Sequence, residues 1–528
     1  MMIPFQNRKR EGDTTGHGPL KAVAKSAELL GKHPLQPHLV ESPAHRSSKK
    51  SLRVMKFGGT SVGDASCIAR VMEIIRSAAR ESGIVVVVSA MSGVTNALLE
   101  AAALAGAGDV KRVAGIFEEL RKAHNTAAGA LINSPAARDR LTRKMQKLFK
   151  EGAYRCQEAS LARKLAPPTQ DAIASLGERL CALLLAAALC ERDVPSEAIE
   201  ATDLIVTDDN HGCADPCMEP TRDRCQEFLT PVMERGVIPV VTGFIGATPD
   251  GVLTTLGRGG SDYSATILGA ALDAEEVIIW TDVDGLMTSD PRLVPGARTV
   301  PEISYREAAE LAFFGAKVLH PKTLRAVTHS GIPLSIRNTF LPQHPGTRIT
   351  LAGPRTGDGV KALAAVRDAT LIAIGGPGIV GKPDVLARTF AATAGVRADI
   401  LLVSQSSSQN DICLVVASAD GEKTTEALRR EFAQDLAQDQ MEHIRIDSEV
   451  AIVTLVGQYE RGVSGIVGRT FHALGREKIN VMAIAQGSSD CNLSFVVPQK
   501  DVQAALLAAH TEFRLGARNE PLLQISNS

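Results

Sequence analysis

Two stretches of this chain are copies of one another. RTFAATAGVRADILLVSQSSSQNDICLVVASADGEKTTEALRREF begins at Arg388, and RTFHALGREKINVMAIAQGSSDCNLSFVVPQKDVQAALLAAHTEF begins at Arg469. Gln405 aligns with Gln486, Ser407 with Ser488, Val415 with Val496 and Phe432 with Phe513, a constant offset of 81 without a gap. Such a repeat constrains the fold strongly, because one supersecondary design has to be used twice. Each copy reads as strand, helix, strand, strand, helix. Two small α+β units are therefore expected, at 360–445 and 446–528.

The repeat also disarms a decoy. GPGIVG, Gly376 to Gly381, fits the dinucleotide-binding pattern, with Asp399 near the distance of a ribose contact. At the same offset the second copy has GQYERG, Gly457 to Gly462, where Tyr459 replaces Gly378. The middle glycine is the one that lets a pyrophosphate approach the backbone. A loop that dispenses with it is a βα connection, and the remaining chain is too short for a two-halved dinucleotide domain.

Upstream the pattern changes. GIVVVVSAM (from Gly83), GVIPVVTGFIG (from Gly236) and EEVIIWTDVDG (from Glu275) are short apolar runs typical of buried parallel strands. Helical patterns such as 172–192 lie between them. This alternation predicts an α/β domain with a mostly parallel sheet over 51–350. Residues 1–50 differ, with nine Lys/Arg against four acids and no apolar period. They are expected to form a disordered basic tail, with a targeting segment or a misassigned start as alternatives.

Composition excludes several functions. The 528 residues carry a net charge of −1 and only 4% aromatics, which disfavours nucleic-acid binding. Nine scattered cysteines do not suggest a disulfide framework, and His211, Cys213 and Cys217 match no common zinc spacing. LCALLLAAALC, Leu180 to Cys190, is too short to span a bilayer. A cytoplasmic protein without membrane partners is expected.

Four motifs carry chemistry, and a fifth adds a lysine. In LRVMKFGGTSVGDA, Leu52 to Ala65, a strand ends in Lys56 and then Gly58, Gly59, Thr60 and Ser61. Glycines let backbone amides close on an anion, and an ammonium and hydroxyls add to the attraction. A plain glycine turn with a solvated lysine is the alternative. In TTLGRGGSDYSA, Thr254 to Ala265, Gly257, Gly259 and Gly260 surround Arg258, while Ser261 and Asp262 open a helix. Helix N-termini attract anions, and an arginine grips a carboxylate or phosphate with two parallel bonds. IWTDVDGLMTSDPR, from Ile279, runs a buried strand into Asp282, Asp284, Asp290 and Arg292. SLGERL sets Glu178 on an apolar helix, where an acid needs a partner such as a substrate ammonium. Lys317 in FGAKVLHP is either a nucleotide contact or a solvated lysine.

In this order, VMKFGGTSVGDA, VVSAMSGVTN, SLGERL, GFIGATPDGVLTTLGRGGSDYSA, WTDVDGLMTSDPR and ELAFFGAKVLHP resemble the aspartate kinases. The resemblance implies an α/β amino-acid-kinase (carbamate-kinase-like) sandwich followed by two ferredoxin-like ACT domains. It implies transfer of the ATP γ-phosphoryl group, with Mg²⁺, to the β-carboxylate of L-aspartate. That step opens lysine, threonine and methionine biosynthesis. By motif, Lys56 would stabilise the moving phosphoryl group and Asp262 would organise the lysine. Arg258 would hold the substrate α-carboxylate and Glu178 its ammonium, with Thr95 and Ser261 adding hydrogen bonds. Gly58, Gly59, Gly259, Gly260, Thr281, Asp282, Arg292, Lys317 and Val318 would line the nucleotide. Many members have tyrosine where this chain has Met287, a departure at the nucleotide side.

ACT pairs of this family bind an end-product amino acid. Gln405 and Gln486 resemble the paired glutamines of threonine-responsive members, so threonine is expected to inhibit, with lysine as runner-up. A homodimer or tetramer is expected. No dehydrogenase domain follows residue 528, so a bifunctional enzyme is not expected. The rival readings are a silent amino-acid sensor of the same fold, or a glutamate, acetylglutamate or nucleotide kinase.

Overall fold

The computed structural model describes residues 51–315, 319–354, 359–376, 383–408, 410–458, 465–487 and 491–516. The expected tail at 1–50 and all of GPGIVG after Gly376 lie outside them.

The first part opens with β1 (Leu52–Phe57), α1 (Ala65–Ala78), β2 (Gly83–Val88) and α2 (Val94–Ala107). Helices α3 (Val110–Leu131), α4 (Pro135–Ala162), α5 (Pro167–Ala174) and α6 (Leu176–Glu191) follow. Next come β3 (Ser196–Ile199), α7 (Met218–Glu234), β4 (Ile238–Thr242), β5 (Ile245–Ala247) and β6 (Leu253–Thr255). Then come α8 (Gly260–Ala271), β7 (Glu276–Thr281), β8 (Glu302–Ser304), α9 (Tyr305–Phe313), α10 (Pro321–Ser330), β9 (Leu334–Asn338) and β10 (Thr347–Thr350).

Eight of these strands form one sheet in the order β3-β4-β2-β1-β7-β9-β10-β8. All its pairings are parallel except β9 with β10. Both faces are covered, and alternate side chains of the same strands feed two separate cores. Val54, Val85, Val87, Val277 and Ile279 pack on the face covered by α7 to α10. Met55, Phe57, Val86, Val88, Ile278 and Trp280 pack on the face covered by α1 to α4 and α6. Lys56, lying between Met55 and Phe57, therefore belongs to the α8 face.

Together α5 and α6 form an apolar run of 25 residues, Pro167–Glu191. The stretch is thus longer than its sequence suggests and meets the length for a membrane span. However, 78% of its most apolar window is buried inside the protein, as in a core helix.

The second part contains β11 (Val360–Gly375), α11 (Pro383–Gly395), β12 (Ile400–Gln405), β13 (Asp411–Ala417), α12 (Ser418–Glu431) and α13 (Ala433–Ala437). It continues with β14 (His443–Gly457), α14 (Ile466–Arg476), β15 (Ala483–Ala485), β16 (Asn492–Pro498) and α15 (Val502–Glu512). Each copy runs strand, helix, strand, strand, helix as expected. All six strands share one sheet, β12-β13-β11-β14-β16-β15. Its two long strands are divided between the copies. Residues 369–375 of β11 pair with β13 and with 443–450 of β14, whereas 360–366 pair with 452–457 of β14, with register shifts between Val366, Ala369 and Leu371. Likewise β16 pairs only with 450–456 of β14. Each copy thus takes its fourth strand from the other's long strand, and a boundary at 445 falls inside β14.

Candidate active site

The site forms where the parallel strands end. Lys56 is 7% exposed, and its Nζ lies 2.5 Å from Oδ1 of Asp262. Asp262 occupies the first turn of α8, where the helix dipole adds positive charge. Two glycines make this turn possible. Gly257 and Gly259 have φ of +81° and +72°, in the left-handed region that disfavours other residues. Arg258 stands between them, exposed, four residues before Asp262. The charges of Arg258 and Asp262 both reach His320, which caps α10. The ammonium of Lys56 and the guanidinium of Arg258 thus flank one helix N-terminus.

Glu178 comes from the other side. It lies in the first turn of α6 and is 3% exposed. Gly177 allows this approach, since a Cβ there would lie 2.5 Å from the Ala90 side chain. The same contact brings α6 against Val94 at the start of α2, next to half-buried Thr95. Burial pushes the Glu178 carboxyl up to about 8, opposed by the Ala90 amide, its own amide and the Lys56 charge. Its Oε2 has no hydrogen-bond partner among the described residues. A buried acid with one free oxygen suits an incoming cation. Ser261, 9% exposed, packs against Gly243, where a Cβ would meet it at 2.7 Å.

The glycines act differently from the simplest expectation. The Gly58 amide donates to the Trp280 carbonyl at 3.0 Å, and the Gly260 amide to Gly257 at 2.9 Å. These two amides are engaged, so both glycines serve the turn rather than offering free donors. A Cβ on Gly59 would crowd the Ala90 carbonyl at 3.1 Å, which keeps the loops after β1 and β2 together.

On the expected nucleotide side, Thr281 ends β7 and donates to Asp282 at 3.2 Å. Asp282 is exposed, while Asp284 accepts from Asn338 at 2.7 Å. Arg292 is turned back on Asp290 through bonds of 3.0 and 2.7 Å, and holds that carboxyl below its usual range. Lys317 and Val318 lie outside the described residues. Met287 is half-buried and bridges to Thr299. Gln405 and Gln486 are both exposed. Gln405 ends β12 and Gln486 follows β15, the two outermost strands, whose edges meet where Ser404 Oγ donates to the Ile484 carbonyl at 3.0 Å.

The Amino acid kinase family matches residues 51–338, and an ACT domain matches 372–432 and again 453–513. Aspartokinase 1, chloroplastic, of Arabidopsis thaliana is 31% identical over 488 residues, covering 89% of this chain and 82% of that protein. The chain belongs to the aspartokinase family. Among solved structures, E. coli aspartokinase III in complex with aspartate and ADP matches with a TM-score of 0.71 and 30% identity, over 87% of this chain and 99% of that one. The aspartate kinase of Clostridium acetobutylicum matches with a TM-score of 0.73 and 25% identity, over 87% and 100%. The bifunctional aspartokinase/homoserine dehydrogenase 1 of Arabidopsis thaliana is 33% identical over 477 residues, 89% of this chain but 52% of its own length. The chain spans about half the length of such bifunctional aspartokinases.

Sequence reasoning missed Asp171, a 3%-exposed carboxylate on α5 that accepts bonds from two loops beside Arg258. Its signal was available: an acid on an apolar helix, seven residues and two turns before Glu178.

Proposed function

We propose that this aspartokinase transfers the γ-phosphoryl group of ATP to the β-carboxylate of L-aspartate, giving 4-phospho-L-aspartate and ADP. The observation that carries this reading is the convergence of Lys56, Asp262, Glu178 and Arg258 on the N-terminus of α8. Arg258 takes the substrate α-carboxylate and Glu178 its ammonium, with Thr95 and Ser261 beside them. The β-carboxylate oxygen attacks the γ-phosphorus as the bond to the ADP oxygen breaks. Lys56, held by Asp262, stabilises charge on the moving group, which is most of what phosphoryl transfer asks of a protein. Mg²⁺ bound with the ATP phosphates would neutralise part of their charge and would need only one or two protein carboxylates. Exposed Asp282 at the end of β7 is available to it. Lys317 and Val318 complete the nucleotide side in this reading.

The ACT pair senses an end product. Gln405 and Gln486 at the seam of the two copies favour threonine. Lysine is the second reading, supported by the 30% identity to E. coli aspartokinase III, a protein solved with lysine and aspartate. ACT edges also suggest a homodimer or tetramer. The test is ADP release with L-aspartate, L-glutamate and succinate as acceptors, with and without threonine or lysine. Aspartate-dependent release lowered by threonine is expected. Preference for glutamate would overturn the substrate, and binding of neither effector would remove the regulatory claim.

A further inference from the structure

We propose that Asp171 is a positioning residue that sets the span between Glu178 and Arg258, and so tunes recognition of the α-amino acid end of the substrate. The inference rests on the function proposed above.

Asp171 is buried on α5 and touches neither reactant-facing group. Its Oδ1 accepts from Thr255 Oγ1 at 2.6 Å. Its Oδ2 accepts from the Thr255 amide at 3.2 Å, the Gly212 amide at 3.1 Å and His211 Nδ1 at 2.8 Å. Thr255 ends β6, three residues before Arg258. The Ala214 amide donates back to Thr255 at 2.9 Å, and a Cβ on Gly257 would meet the Gly212 carbonyl at 3.0 Å. One carboxylate therefore pins both loops that flank the arginine.

The other end of the brace is helical. The Ser175 amide donates to the Asp171 carbonyl at 3.0 Å, and the helix continues through Glu178. Seven residues at about 1.5 Å each place Asp171 about 10 Å from Glu178 along α5 and α6, which join through the helical backbone of Ser175. The group that recognises the ammonium and the loop that recognises the carboxylate are thereby fixed to a common rod. Lys56 and Asp262 are tied together independently, through β1 and α8.

The test is steady-state kinetics of Asp171→Asn with aspartate and ATP varied separately, and with succinate as an acceptor lacking the ammonium. Asparagine keeps the shape but turns an NH2 on donors. The KM for aspartate is expected to rise on the order of ten- to hundredfold, the KM for ATP to stay put, and the preference for aspartate over succinate to shrink. A merely structural loss would scale kcat with the folded fraction and leave both KM values alone. Thr255→Val, which removes one bond of the set, should give a smaller rise of the same kind if Asp171→Asn does not fold. An unmoved KM for aspartate, or equal rises for both substrates, would overturn the proposal. If the wild type prefers another α-amino acid, the substrate assignment fails while the same split is read with that acceptor. A wild type that uses no acceptor removes both.

Discussion

The two ACT copies share a clamp and differ in what they hold. In the first, Arg388 bonds Glu431 through Nε at 2.7 Å and its carbonyl at 2.9 Å, and lies 4.5 Å over the Phe432 ring. In the second, Arg469, Glu512 and Phe513 repeat this at 2.9, 2.9 and 4.5 Å. The position equivalent to His510 is Arg429. Arg429 is exposed, whereas His510 is 5% exposed and bonds Thr288 of the catalytic part at 3.0 Å. Asn492 reaches Glu310, Arg298 reaches the Leu515 carbonyl, and Val294 joins the second copy's core. Lys361, on the half of β11 that pairs with the second copy, forms a buried pair with Glu307 at 2.8 Å. The clamp is common to both units, and the contacts of His510, Asn492 and Leu515 join the second to the catalytic part. Thr288 belongs to the loop proposed to face the nucleotide, and His510 ties that loop to the second copy.

The largest test of this asymmetry is Lys361→Met. Leaving Glu307 buried without its cation should cost about 3–5 kcal/mol, read as a lowered thermal transition. Adding Glu307→Gln should recover part of the loss, and no recovery would show that the pair is not the reason.

A middle-sized test sets Arg388→Ala against Arg469→Ala. Each clamp is partly exposed, so each change should cost about 1–2 kcal/mol. Only Arg469→Ala should also raise the KM for ATP, because its clamp anchors α15, which carries His510. Equal kinetic effects would erase the proposed division of labour.

The smallest effect concerns pH. Burial, aided by Arg298, lowers the His510 pKa below its usual value. The folded protein then binds fewer protons than the unfolded chain below pH 6.5. Stability from this group is present above 6.5 and lost as pH falls through the lowered value. His510→Gln should flatten that acid loss, whereas Arg429→Gln should leave it unchanged.

The active site offers a contrast of opposite sign. Glu178, raised to about 8, favours the folded state at low pH and loses that contribution as pH rises through 8. Its ionised form is the one that pairs with an ammonium. The KM for aspartate should therefore fall between pH 7 and 9, and Glu178→Gln should remove the dependence.

Much of this was legible in the chain. The strand runs, the gapless repeat, Lys56 and the glycines around Arg258 announce themselves through local pattern. Glu178 was readable because an acid on an apolar helix demands a partner. What escaped depends on contacts distant in sequence. Asp171 gains its meaning from Thr255 and Gly212, and His510 from Thr288, far along the chain. The division of β11 and β14 escaped because a long strand reads the same whether one unit uses it or two. The retraction of Arg292 onto Asp290 could not be told from an arginine reaching for phosphate.

The exchange of strand halves has a bearing on biosynthesis. Residues 360–366 leave the ribosome well before 450–457, against which they must lie. Until then residues 360–366 present a bare edge, open to pairing with other chains. The regulatory half should thus close late and in a single step, and a ribosome stalled within β14 would leave behind an adhesive fragment rather than a smaller working sensor.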